Sequence, residues 1–113
     1  MPYINLNTTV EITDDKKKLL TESFGSAIEL IPGKSEEWLM LNFVGGAAMA
    51  FKGSFEDCAM IEVEIFGKAS GESYDALTEA LCNTVSEALG VNKNRIYVKY
   101  EEIDNWGWNG MNF

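Results

Sequence analysis

The order of the predicted strands and helices is the feature that most restricts how this chain can fold. Alternation of apolar and polar residues, or a short apolar run, predicts strands over 2–8, 38–44, 58–66 and 95–101. Helical spacing of apolar residues predicts one helix between the first two strands and a second, over 72–89, between the last two. Two βαβ units of similar length predict an α+β fold, a four-stranded sheet with both helices on one face.

The boundaries of both helices carry recognisable signals. Thr13 is placed to cap the first helix, and Pro32-Gly33 ends it. The apolar face of this helix consists of Leu20, Phe24, Ala27, Ile28 and Ile31. Ser70 is a candidate cap for the second helix, and Gly90 suits the left-handed position that ends it.

The remaining segments differ in pattern. Clean alternation over 58–66 predicts a strand with one buried face, whereas the nearly continuous apolar run over 38–44 predicts burial on both faces. The short, apolar stretch from Ala47 to Gly53 predicts a brief irregular strand. The tail from Asn105 is rich in Trp and Gly, which predicts an ordered hairpin or edge.

The length of 113 residues corresponds to one domain over 1–113. With both helices on one face of the sheet, the other face has nothing in the chain to cover it. Apolar strands and an aromatic tail left uncovered predict a partner, most simply identical subunits.

The charge balance disfavours several classes of partner. Eighteen acidic and nine basic residues give a net charge of −9. Nucleic acids and anionic membrane surfaces attract cationic proteins, so neither partner is expected. No apolar run reaches bilayer length and no signal peptide opens the chain, so the cytoplasm is the expected location.

The chain contains no histidine, which removes the most common metal ligand and the most common proton shuttle. Cys58 and Cys82 form no CxxC pair and are expected to be small buried hydrophobes, so no metal site is predicted. A base in this protein would have to be a carboxylate, a lysine, a tyrosine or the N-terminal amine.

The dipeptide Met1-Pro2 supplies such an amine if the initiator methionine is removed. The mature chain would then begin with a secondary amine, whose pKa as an ordinary α-amino group is about 7.7–8.0. Burial or a nearby cation would lower that pKa towards the range of a general base at neutral pH. The alternative is that Pro2 is only a common second residue that permits methionine removal.

Several short motifs occur together in a particular order. They are Pro2 at the start of the first strand, Gly33-Lys34, Met49-Ala50-Phe51 with Gly53, Cys58-Ala59, Gly67-Lys68, Arg95-Ile96-Tyr97, and Gly107-Trp108-Asn109-Gly110 with Phe113. With these motifs, over nearly its whole length, the chain resembles the macrophage migration inhibitory factor and phenylpyruvate tautomerase family of the tautomerase superfamily.

This resemblance implies a homotrimer with active sites between neighbouring subunits. It implies keto–enol tautomerisation of α-keto acids such as phenylpyruvate, with Pro2 as the base and no cofactor. It also implies that Lys34 and the backbone N–H of Phe66 bind the substrate carboxylate. The alternative for Lys34 is a solvated lysine near a helix end, and for Phe66 an ordinary strand residue.

Aromatic residues are the candidate walls for a substrate ring. Trp38 and Tyr97 match aromatic positions of the family pocket, and Trp106, Trp108 and Phe113 come from the tail. Tyr3 follows the proline and could line the mouth of the pocket. Packing in the core or between subunits is the alternative for these side chains.

The chain departs from the animal proteins of the family at several positions. Cys58 has Ile61 where the animal protein completes a CxxC, so thiol–disulfide activity is not expected. Lys99 replaces a pocket asparagine, and could bind the anion, lower the pKa of Pro2, or pair with Glu101 or Glu102. Trp106 replaces a smaller residue and would narrow the pocket.

The sequence is compatible with three functions. The first is an isomerase for arylpyruvates, and the second is a cytokine-like interaction protein with vestigial tautomerase activity. The third is another proline-dependent chemistry of the superfamily, which would need further charged groups, usually an Arg pair or a catalytic Glu. The third function is disfavoured because Arg95 is the only arginine, and the strand carboxylates Glu62 and Glu64 are expected to be solvated or at an interface.

Export without a signal peptide is left open by the sequence.

Overall fold

The computed structural model describes all residues from 1 to 113. The strands are β1 (Pro2–Thr8), β2 (Met40–Val44), β3 (Ala59–Phe66), β4 (Ile96–Ile103), β5 (Gly107–Trp108) and β6 (Met111–Asn112). The helices are α1 (Asp14–Ala27) and α2 (Gly71–Leu89). Short 3-10 turns occupy Ile28–Leu30, Glu36–Trp38 and Lys93–Arg95.

Strands β1 to β4 form one mixed sheet in the order β2-β1-β3-β4. Strand β1 runs parallel to β2 and antiparallel to β3, and β3 runs parallel to β4. Each parallel pair is connected through one helix, and the two βαβ units meet at β1 and β3. The predicted fold class is therefore confirmed.

One face of this sheet packs against the two helices. Alternate residues of β1 and β3, such as Ile4 and Ile61, are fully buried together with Phe24 of α1 and Leu81 of α2. The intervening strand residues are only partly buried, because they point away from the helices. The molecule thus has two layers and one largely uncovered sheet face.

The helix boundaries follow the predicted signals. The hydroxyl of Thr13 accepts a hydrogen bond from the N–H of Lys16, and the hydroxyl of Ser70 accepts one from the N–H of Ser73. Gly90 ends α2 with a φ of 74°, a conformation that glycine adopts without steric cost. The caps predicted for both helices are confirmed.

The predictions for β2 and for the loop after it were wrong. Trp38 lies in a 3-10 turn before the strand, and the side chains of β2 alternate between exposed and half-buried. The reason is that both helices pack on one face of the sheet, which leaves the other face of β2 uncovered, and that β2 is also an edge strand. Between Ala47 and Gly53 no strand forms, and the loop contains only an isolated bridge from Phe51 to Ser54.

The aromatic tail forms the predicted hairpin. Strands β5 and β6 pair antiparallel, and the N–H of Phe113 donates to the carbonyl of Trp106 at 3.0 Å. Trp106, Gly107 and Trp108 share a surface cleft with Pro2, so the hairpin lies beside the amino end of β1. Neither α1 nor α2 combines the length and the apolar composition that a membrane span requires.

Candidate active site

A cleft of about 520 Å³ opens at the amino end of β1. Four segments meet there: the start of β1, the turn leading into β2, one residue of β3 and the C-terminal hairpin. The lining residues are Met1, Pro2, Tyr3, Glu37, Trp38, Leu39, Met40, Glu64, Trp106, Gly107 and Trp108. The cleft therefore combines an apolar, aromatic wall with a few polar groups, as small-molecule sites commonly do.

The N-terminal residue is tied to the end of β3. Pro2 lies opposite Ile65 in the antiparallel ladder, and the N–H of Phe66 donates to the carbonyl of Met1 at 3.0 Å. The peptide bond between Met1 and Pro2 consequently lies beside a backbone donor at the strand end. Pro2 itself is buried, so its nitrogen has a defined position.

Lys34 reaches the same strand end from the loop after α1. Gly33 adopts a φ of 81°, so the chain can turn sharply just before the lysine. The ammonium group of Lys34 then donates to the carbonyl of Phe66 at 2.7 Å. Lys34 and the two backbone groups of Phe66 thus surround the first residue of the chain.

The N-terminal amine responds to this environment. Partial burial lowers its pKa below the ordinary value, and the positive charge and hydrogen bonding of Lys34 lower it further. An amine at this point is therefore a better candidate for the unprotonated form at neutral pH than an exposed one.

Aromatic side chains continue from the cleft across the hairpin. Trp38 meets Trp108 edge-on with ring centroids 5.0 Å apart, and Trp108 stacks on Phe113 at 6.4 Å. Phe113 in turn contacts Phe66 at 5.7 Å. The rings form a wall that links Trp38 of the turn to Phe66 beside the N-terminus.

Of the predicted site residues, Pro2, Tyr3, Trp38 and Trp106 line this cleft, whereas Lys34, Phe66 and Phe113 lie beside it. The structure does not bring Tyr97 or Lys99 to the cleft. Tyr97 packs against Phe51 with centroids 4.6 Å apart and lies opposite Met60, six positions before Phe66 on β3. That separation along a strand is about 20 Å. The ammonium of Lys99 pairs with Glu62 at 3.2 Å. Of the three alternatives open for Lys99, pairing with Glu101 or Glu102 does not occur within the chain, because cross-strand register brings Lys99 to Glu62.

Two acidic residues, Glu37 and Glu64, belong to the site although neither was predicted for it. Both line the cleft, although Glu64 was expected to be an ordinary solvated or interface carboxylate. Burial raises the pKa of the Glu64 carboxyl, and the charge and hydrogen bonding of the adjacent Glu101 raise it further. The sequence could have indicated the position of Glu64, because the alternation of β3 puts Glu64 on the same face as Phe66.

The arrangement is suited to proton transfer on an anionic molecule. It provides an amine at the chain start, a cation at Lys34, a backbone donor at Phe66 and an aromatic wall. No cluster of three or more His, Cys, Asp or Glu side chains with metal-binding geometry occurs in the chain. The alternative of a merely solvated Lys34 does not fit its contact with Phe66.

Comparison with known proteins gave consistent results. The family model described as macrophage migration inhibitory factor (MIF) matches residues 1–113. The macrophage migration inhibitory factor of Xenopus laevis is 28% identical over 115 residues, covering 100% of this chain and 99% of that protein. Leishmania major MIF2 superimposes with a TM-score of 0.94 at 28% identity, covering 100% of this chain and 97% of the other.

A further solved structure carries chemical information in its description. It is described as Pt0534 inactivated by 2-oxo-3-pentynoate, and it superimposes with a TM-score of 0.79 at 25% identity. The match covers 96% of this chain and 93% of the other.

Proposed function

The chain belongs to the macrophage migration inhibitory factor family, and on this basis we propose that it is a cofactor-independent keto–enol tautomerase. The substrates are phenylpyruvate-like α-keto acids, and Pro2 is the general base once Met1 has been removed. The observation that carries the proposal is the meeting of the N-terminus, Lys34 and the Phe66 backbone at an aromatic cleft.

Removal of Met1 would change two groups at once. It would convert the amide nitrogen of Pro2 into a secondary amine, which can accept a proton. It would also release the N–H of Phe66 from the carbonyl of Met1, to which it donates at 3.0 Å in the full chain. One cleavage thus produces both a base and a free donor for an anion.

The substrate carboxylate then binds between the ammonium of Lys34 and the N–H of Phe66. In the enol-forming direction, the Pro2 nitrogen takes a proton from the carbon next to the keto group, and the keto oxygen takes one from solvent. In the reverse direction, protonated Pro2 returns the proton to carbon and the enol oxygen loses its own. The cation at Lys34 also favours the enolate that develops in between.

The electrostatics support Pro2 as the base. Burial and Lys34 lower the pKa of the amine at residue 1, and the same surroundings act on an amine one residue later. The structurally similar Pt0534 was inactivated by 2-oxo-3-pentynoate, a 2-oxo acid, which supports a 2-oxo acid as the ligand class here. The wall of Trp38, Trp108 and Phe113 suits an aryl group on that acid.

We also propose that the working form is a homotrimer, in which the uncovered sheet face packs against neighbouring copies. A polar ladder crosses that face: Asn42 donates to Asn5 at 2.9 Å, Asn5 to Glu62 at 3.0 Å, and Lys99 pairs with Glu62. Tyr97 is 61% exposed in the isolated chain. In a ring of subunits, Tyr97 and Lys99 would contribute to the site of the adjacent copy.

The test is phenylpyruvate ketonisation by protein whose mass shows that Met1 is absent. The wild type should accelerate the reaction well above buffer, and the Pro2→Gly variant should lose most of that rate while remaining folded. If the trimmed wild type does not accelerate the reaction above the rate in buffer, the Pro2 amine does not act as a base on this substrate. A cytokine-like interaction protein with vestigial activity would then be the better description.

A further inference from the structure

We propose that Glu64 selects ligands of this cleft by charge. It disfavours molecules that carry a second anionic group and favours those with a cationic group distant from the carboxylate. The inference rests on the proposed function only in assuming that a carboxylate occupies the Lys34 end of the cleft.

The position of Glu64 follows from the sheet register. Strand β3 alternates so that Glu64 and Phe66 lie on the same uncovered face, two residues apart. Glu64 is opposite Tyr3 on β1 and opposite Glu101 on β4, and it lines the cleft together with Pro2 and Tyr3. Its carboxyl group is therefore part of the wall that a bound molecule would contact.

Glu64 forms no ion pair within its own chain. The nearest lysine on that face, Lys99, is held by Glu62 at 3.2 Å, and Glu62 also accepts hydrogen bonds from Asn5 and Asn7. Glu64 instead faces Glu101, a second acid. Burial and Glu101 raise the pKa of the Glu64 carboxyl, so Glu64 puts its negative charge on the cleft wall only above that raised pKa.

The cleft consequently has two poles. Lys34 and the N–H of Phe66 lie beside Met1 and put positive charge next to one end of the cleft, whereas Glu64 and Glu37 contribute negative groups to its wall. The Lys34 end binds one carboxylate, and the wall repels another. Two like charges several ångströms apart at a partly exposed protein site change affinity by roughly 5- to 20-fold.

The experiment compares three unreactive ligands that share one carboxylate and one ring. They are 3-phenylpropanoate and its para-carboxylate and para-aminomethyl derivatives. Binding to the trimmed protein is followed at low ionic strength by tryptophan fluorescence, since Trp38, Trp106 and Trp108 line the cleft. We expect the aminomethyl ligand to bind most tightly and the dicarboxylate least tightly. The dissociation constant of each should differ about 10-fold from that of 3-phenylpropanoate.

The decisive variant is Glu64→Gln, which removes the charge and retains the size. It should reduce the ratio of the affinities of the two charged ligands at least about 5-fold and leave the affinity for 3-phenylpropanoate nearly unchanged. Glu79→Gln on α2 is the matched control, because it removes the same charge from an exposed site on the helix layer. Glu64→Thr provides the same loss of charge with a good strand former if the glutamine variant does not fold.

An unchanged ratio of these affinities in Glu64→Gln, or an equal reduction in Glu79→Gln, would overturn the proposal. Because the ligands are unreactive, this result is independent of catalysis. If the affinities depend on ligand charge as expected but the wild type shows no phenylpyruvate activity, only the proposed function is refuted. If the wild type is active but Glu64→Gln leaves the affinity differences between the ligands unchanged, only the role of Glu64 is refuted.

Discussion

The backbone N–H of Phe66 donates a hydrogen bond to the carbonyl oxygen of Met1, with the two atoms 3.0 Å apart. The carbonyl of the same Phe66 accepts from the ammonium of Lys34 at 2.7 Å. The end of β3 therefore holds both the first peptide bond of the chain and the cation nearest to it. In the proposed function, this relationship links removal of Met1 to binding of the substrate carboxylate.

Protein that retains Met1 should lose both activity and ligand affinity. Because the nitrogen of Pro2 is then an amide rather than an amine, kcat/KM for phenylpyruvate should fall at least about 100-fold. Because the Met1 carbonyl still covers the Phe66 donor, 3-phenylpropanoate should also bind roughly 5- to 10-fold more weakly. The retained form can be made by expression with methionine aminopeptidase inhibited, and its mass checked before titration.

Trimmed Pro2→Gly is the matched control for this comparison. It leaves Phe66 uncovered, so it should bind the unreactive ligand normally while losing most of the rate. Equal affinity of the trimmed and Met1-retaining proteins would show that the Phe66 donor has no part in binding.

Replacement of Lys34 by Met should affect both binding and the pH profile. Loss of the cation should raise KM for phenylpyruvate about 10-fold. Lys34 lowers the pKa of the N-terminal amine, and the reaction needs the unprotonated amine. Without Lys34 that pKa rises, so the acidic limb of kcat/KM should move to higher pH.

The remaining effect of burial, which is the larger cause of the lowered pKa, should persist in this variant. Lys18→Met, on the exposed surface of α1, provides the control for a general change of charge. A pH profile that does not move in Lys34→Met would argue against contact between Lys34 and the catalytic amine.

Truncation of Trp108 should impair only substrates that carry a ring. Trp108 contacts both Trp38 and Phe113, so Trp108→Ala opens the aromatic wall. We expect KM for phenylpyruvate to rise about 5- to 10-fold. Deuterium exchange at the methyl group of pyruvate, which has no ring, should change less than about 2-fold. Equal losses for both substrates would instead indicate that the hairpin has become disordered.

Mixing two inactive variants should restore activity if sites lie between subunits. Pro2→Gly and Tyr97→Ala affect residues that are far apart in one chain, on opposite ends of the β3–β4 ladder. In a randomly mixed equimolar trimer, about a quarter of the sites would combine an intact Pro2 with an intact Tyr97. Refolding the variants together should therefore recover about that fraction of wild-type activity, and separately refolded samples should recover none.

Arg95 should contribute strongly to stability. It is 9% exposed and donates to the carbonyls of Asp57 at 3.0 Å, Glu56 at 3.0 Å and Phe51 at 3.1 Å. Arg95→Met leaves these acceptors without their donor, which should cost about 2–4 kcal/mol of unfolding free energy. Urea unfolding at one fixed protein concentration measures the loss, with Lys93→Met as the exposed control. A change below about 0.5 kcal/mol would mean that water replaces the guanidinium.

The secondary structure could largely be predicted because it depends on local patterns. The alternation in β3 and the apolar stripe of α1 each identify one buried face. Hydrophobicity does not reveal the position of a strand within the sheet, so β2 was expected to be buried on both sides. Both helices pack on the same face of the sheet, so β2 is covered on one face only, and its edge position exposes it further.

The site was harder to predict, since its members come from distant parts of the chain. Lys34 and Phe66 were assigned through family resemblance, whereas their mutual contact depends on a loop that turns at Gly33. Glu64 lies between other strand carboxylates and has no sequence feature that distinguishes it from Glu62. Register alone pairs Glu62 with Lys99 and leaves Glu64 facing Glu101.

The sequence by itself determined the two βαβ units, the helix caps, the hairpin and the family, because these depend on periodicity, capping residues and motif order. The tertiary structure decided which polar groups meet at the cleft. It set the contacts of Met1 and Lys34 with Phe66, the exposure of Glu64 to the cleft and the separation of Tyr97 from Pro2. These features depend on strand register and loop geometry. Both bring together residues that are far apart in the sequence, so no local sequence pattern predicts their contacts.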